Sequence, residues 1–123
     1  LHGHPNGANT YRFTIDDTVI VYATDCEHPI DSLNKNVIEQ SRDADILIHD
    51  AQYTNDELPN HKGWGHSSWQ QAIEVAKEAN AKQLILYHHD PYRSDTDLAF
   101  IEQEAQSIFP NTIAAKQGHT ITI

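Results

Sequence analysis

A chain of 123 residues has room for one domain and a modest core, and 38% hydrophobic residues in an unbiased mix describe a globular chain. A net charge of −10, with only eight scattered Lys and Arg, argues against binding to extended nucleic acid. No stretch approaches the roughly 18 apolar residues of a membrane span, and a single cysteine, Cys26, excludes an internal disulfide framework and fits a reducing, cytoplasmic setting.

Residues 11–15 and 18–24 read as strands joined by the two-residue turn Asp16-Asp17. Residues 34–42 read as a short helix and 45–49 as a strand running into Asp50. Residues 53–65 form a loop rich in Asn, Pro, Gly and charge, long enough to be functional. Ser67 with Gln70 reads as a capping pair that opens a helix, in which Trp69, Ala72, Ile73, Ala76 and Ala79 recur at helical spacing until Asn80 closes it. Trp69 is expected in the core, with Trp64 covering it from the loop. A short apolar run at 83–86 has the pattern of a strand covered on both faces, and it ends in His88-His89-Asp90-Pro91. After a turn at 91–95 come a helix at 97–108 and two short strands at 112–115 and 119–123. This alternation predicts an α/β layer, and half of a larger one.

Nine histidines are the compositional anomaly, and most lie at the edges of the predicted elements. Three strands finish in acidic or imidazole side chains: Asp25, His49-Asp50 and His88. If those strands are neighbours, their ends converge on one edge of the sheet, where α/β sheets place ligands. Imidazole with carboxylate suits Zn, with Mn, Fe or Ni as alternatives. Cys26 should point to the opposite face and is left out of this set. His28, His89 and Asp90 lie close enough in sequence to orient the ligating groups by hydrogen bonds.

The residues His4-Pro5, Tyr11-Arg12-Phe13, Val21-Tyr22-Ala23-Thr24-Asp25, Ile48-His49-Asp50-Ala51-Gln52-Tyr53, Gly65-His66-Ser67-Ser68 and Leu84-Ile85-Leu86-Tyr87-His88 occur in an informative order. Together they resemble the second half of a metallo-β-lactamase-fold hydrolase, of the phosphodiesterase-like and ribonuclease Z-like subgroups. The resemblance implies half of a four-layer αββα sandwich and a binuclear site holding two divalent ions. It implies His4 and His88 as metal ligands, Asp25 as the bridging carboxylate, His66 as the general acid and Asp50 as its orienting partner. Asp50 stands where ribonuclease Z-like enzymes carry the Glu of a His-Glu-Ala-Thr motif.

One departure from the family pattern matters: the His-x-His-x-Asp-His motif that supplies most ligands is absent from these 123 residues. The chain therefore reads as a single domain that is the C-terminal half of the fold, and the isolated chain is expected to be nearly inactive. The sheet face that normally packs on the other half is expected to need that half, or self-association, to cover it. The reaction implied is hydrolysis of a small phosphodiester by a metal-bound hydroxide, cyclic nucleotides among the substrates. The alternatives are a non-catalytic signalling or interaction module and a ribonuclease Z-type nuclease.

Overall fold

The computed structural model describes residues 10–29 and 32–121. Strand β1 (Tyr11–Ile15) turns through Asp16 and Asp17 into β2 (Thr18–Ala23). Both turn residues have positive φ, 49° and 68°, the mirror-image turn whose twist matches that of the flanking strands. Asp can adopt this conformation without glycine's freedom because its short polar side chain tolerates the left-handed region.

Helix α1 (Lys35–Ser41) leads to β3 (Ile46–Asp50), a 3-10 helix (Asn55–His61) and helix α2 (Trp69–Ala79), and then to β4 (Gln83–Tyr87), α3 (Asp95–Ile108) and β5 (Thr112–Ala114). The sheet order is β1-β2-β3-β4-β5, antiparallel only between β1 and β2. Neighbouring parallel strands joined by right-handed crossovers put every connecting helix on the same face. On that face Val21, Ala23, Leu47, Leu84 and Leu86 are buried under Val37, Ala72, Ile73, Ala76, Ile101 and Ala105.

The opposite face is also apolar, and no helix among the described residues covers it. Register aligns Tyr11 with Tyr22, Tyr22 with Ile48, and Ile48 with Ile85. At its β1 margin Tyr11, Phe13 and Ile15 are 51%, 49% and 56% exposed. One sheet with one helical layer is half of the four-layer sandwich expected from the sequence.

Four expectations need correction. Helix α2 is capped by Ser68 with Gln71, one residue later than Ser67 with Gln70. The Ser67 hydroxyl is engaged elsewhere, donating to Cys26 O at 2.6 Å. Residues 53–65 are not all loop, since the 3-10 helix begins where Glu57 Oε1 accepts the Thr54 N–H. Helix α3 starts at Asp95, because Ser94 and Asp97 exchange side-chain and backbone hydrogen bonds around its first turn. Residues 119–121 are not a strand, and 122–123 lie outside the described residues.

Candidate metal centre and acid dyad

Because β2, β3 and β4 are adjacent and parallel, their carboxyl ends bring Asp25, Asp50 and His88 to one edge, where the segment before α2 adds His66. One ligand atom from each of these four side chains lies within 4.8 Å of the others. Asp25 and His88 both have left-handed backbones, φ 52° and 59°. Such conformations outside glycine cluster where a site must aim its side chains.

Asp50 is completely buried at the centre. Its Oδ1 accepts the N–H of Ser67 at 2.9 Å and of Gln52 at 3.3 Å. Its Oδ2 accepts the N–H of Asp25 at 3.0 Å and Nδ1–H of His66 at 2.9 Å. Four donors occupy the lone-pair directions of this carboxylate, so it organises the site and has little left for a metal ion. Burial opposes a charge on His66, but the Asp50 hydrogen bond and the charges of Asp50, Asp25 and Glu27 outweigh it and raise its pKa.

His88 lies stacked against His66, with ring centroids 4.7 Å apart. Its Nδ1 meets Gln52 Oε1 at 2.9 Å, while the Gln52 amide group donates to Tyr53 Oη at 3.3 Å. That arrangement puts the His88 proton on Nδ1 and leaves a lone pair on Nε2, 3.2 Å from Asp25 Oδ1. Two lone pairs facing one another are repulsive until a cation lies between them or Nε2 gains a proton. Ligands bound at 2.0–2.2 Å around one ion are themselves about 3 Å apart, so this pair of donors fits a divalent ion. A cleft of about 620 Å³ opens beside His88, lined by Tyr87, His89, Pro91 and Ala115 among others.

Behind this edge Cys26, His28 and His49 form a second, fully buried group. Its hydrogen bonds identify the tautomers. Asn34 N–H donates to His28 Nδ1 at 2.8 Å, so His28 carries its proton on Nε2 and gives it to His49 Nε2 at 3.1 Å. His49 in turn donates from Nδ1 to Asp50 O at 2.7 Å. A metal on His28 Nε2 would need an imidazolate, so the trio is a neutral relay bracing β3. Burial lowers the His49 pKa and, with Asp50 nearby, pushes the Cys26 thiol up to about 12.

The residues expected as orienting groups have the following partners among the described residues. His28 hydrogen-bonds His49. His89 is half-buried with its pKa lowered by burial, and Asp90 accepts the N–H of Tyr92 at 2.9 Å. The residue that does orient His88 is Gln52, for which composition and periodicity carry no signal. Trp69 is in the core as expected, while Trp64 stands 59% exposed and meets His61 edge to face. His4 lies outside the described residues.

The sequence model of the Beta-lactamase superfamily domain matches residues 1–89, and the chain belongs to that superfamily. A ribonuclease Z from Enterococcus faecalis is 42% identical over 89 residues, which cover 72% of this chain and 28% of that protein. A ribonuclease Z from Archaeoglobus fulgidus is 45% identical over 93 residues, covering 72% and 29%. Among solved structures, the metallo-beta-lactamase fold protein YhfI from Bacillus subtilis matches with a TM-score of 0.75 at 27% identity, over 94% of this chain and 44% of that one. The short form of human tRNase Z matches at 0.63 over 86% of this chain and 34% of that one, and at 23% identity it shows the fold alone. The fold is that of the metallo-β-lactamases, and the chain spans under a third of the length of these curated relatives.

Proposed function

We propose that the full-length protein is a metal-dependent phosphodiesterase whose chemistry centres on Asp25, His88, His66 and Asp50. The observation that carries this reading is the His66–Asp50 dyad, 2.9 Å across, held beside the facing donors of Asp25 and His88. Asp25 and His88 are the ligands supplied by this part of the chain, with His4 joining them as the resemblance implies. Two divalent ions, zinc in first place, supply Lewis acidity and stabilise developing charge when bound. His66, held by Asp50 with its charged form favoured, gives a proton to the departing alkoxide. Gln52 keeps the His88 lone pair directed at the metal position.

RNA is the preferred substrate class, because the relatives identical at 42% and 45% are ribonucleases Z. The net charge of −10 favours a second reading, a compact substrate such as a cyclic mononucleotide. Turnover of an RNA oligonucleotide and of cyclic AMP by the full-length, metal-loaded protein separates the two. Loss of turnover in His66→Ala with metal content kept supports the dyad. Metal-loaded protein that cleaves neither substrate instead points to a binding module on the same fold.

The apolar sheet face bearing Phe13, Tyr22 and Ile48 is the surface we assign to the rest of the sandwich. The chain covers 44% of YhfI, which leaves room for a second sheet and helical layer. On its own, the 123-residue chain is expected to self-associate through this face and to hydrolyse little.

A further inference from the structure

Trp64 is a large apolar side chain left in solvent two residues before His66, and its loop is built to hold it there. Gly63 and Gly65 flank it with φ of 86° and 88°, a conformation other residues rarely adopt. Their N–H groups donate to the two carboxylate oxygens of Glu27, Oε2 at 2.9 Å and Oε1 at 2.8 Å. One acidic side chain, two residues after Asp25, therefore pins both sides of the Trp64 turn to the strand end that carries the candidate metal ligand.

The indole also ends a continuous aromatic series that runs into the site. Trp64 meets His61 edge to face at 4.7 Å, and His61 stacks on Tyr53 at 4.3 Å. Tyr53 meets His66 edge-on at 6.1 Å, and His66 stacks on His88. His61 is held by its own hydrogen bond from Nδ1 to Glu57 O at 2.8 Å. Two residues of chain keep the Cα atoms of Trp64 and His66 within about 7 Å of one another, and the ring contacts through His61 and Tyr53 connect the indole to the imidazole.

We infer that Trp64 is a base-stacking subsite that holds the nucleoside next to the bond cleaved at His66. The inference rests on the phosphodiesterase reading and names what selects the substrate there. Stacking needs no cation and accepts any base. Around this site, where the 123 residues carry ten excess negative charges, it gives a way to hold a nucleotide that these residues' own Coulomb attraction does not supply. Because the turn is already fixed by Glu27, little ordering is lost on binding.

The test uses the full-length, metal-loaded protein and two p-nitrophenyl esters, one of thymidine monophosphate and one of methyl phosphate. The ratio of their kcat/KM values, nucleoside over methyl, should fall about 5- to 140-fold in Trp64→Ala. The fall should lie mainly in KM, and Trp64→Phe should restore most of the ratio. A ratio that stays within about twofold in Trp64→Ala overturns the subsite. If the unaltered protein cleaves neither ester, RNA and cyclic AMP turnover judge the phosphodiesterase reading, and quenching of tryptophan emission by AMP decides the subsite. Quenching lost in Trp64→Phe and absent with ribose phosphate supports stacking; equal quenching in both proteins overturns it.

Discussion

His66 donates from Nδ1 to a carboxylate oxygen of Asp50 that also accepts the backbone N–H of Asp25, so the imidazole and the candidate metal ligand share one buried atom. Replacing that oxygen affects both. In Asp50→Asn one pair of N–H donors faces an amide NH2, whichever way the side chain turns. A buried site that loses charged hydrogen bonds in this way should be destabilised by about 3 kcal/mol, read from urea unfolding. His66→Ala removes only one of the four donors to Asp50, so it should cost clearly less stability than Asp50→Asn, keep the metal content and lower kcat on the order of 100- to 10,000-fold. Equal stability losses in the two variants would separate Asp50 from any organising role.

The raised pKa of His66 makes stability depend on pH with a definite sign. Below the unfolded value near 6.5, His66 is charged in both states and its pairing with Asp50 contributes fully. As pH rises through the higher folded value the proton leaves and that contribution is lost. His49 and His89, whose pKa values burial lowers, act the other way and weaken the fold as pH falls below about 6.5. Metal-free protein should therefore be most stable near that pH. His66→Gln should remove the decline on the alkaline side only, which urea midpoints across about pH 5 to pH 9 will show. An unchanged alkaline limb in the variant would rule His66 out as its source.

Gln52 touches no metal position yet holds the His88 ring through Nδ1 at 2.9 Å. Groups in this relation to a ligating imidazole are worth about 10- to 100-fold in metal affinity. Gln52→Ala should weaken zinc binding by that factor in chelator competition, and Gln52→Glu should retain it, since a carboxylate accepts the same proton. Affinity unchanged in Gln52→Ala would show that His88 is held by stacking on His66 alone.

The sheet edge that gathers Asp25, Asp50 and His88 was legible because buried parallel strands appear as short apolar runs, and the runs ending at these three residues belong to adjacent strands. The supporting contacts were not legible, for a physical reason. Gln52 reaches His88, and Glu27 reaches Gly63 and Gly65, across strand ends where Asp25 and His88 have left-handed backbones. Those dihedrals leave no periodic trace in a sequence. The Ser67-to-Ser68 shift has a similar origin, since both serines suit a cap and only the Cys26 carbonyl decides between them.

Cys26 offers a test of the relay behind the site. Its thiol is completely buried, with Sγ 3.9 Å from His49 Nε2 and 3.8 Å from Ser67 Oγ. A nearby imidazole and hydroxyl can suggest an activated nucleophile. Burial and the Asp50 charge nevertheless hold the pKa near 12, and the thiolate is the reactive form. His49 cannot deprotonate it without losing the proton it receives from His28. Native protein at neutral pH should therefore react with iodoacetamide at a small fraction of the rate of a free thiol, and labelling should become complete once urea unfolds the chain. Replacing His28 with Ala removes the donor to His49 and opens a buried space beside it, so labelling of that variant should rise before global unfolding. Rapid alkylation of the unaltered native protein would show that the three side chains are not the closed, neutral relay described above.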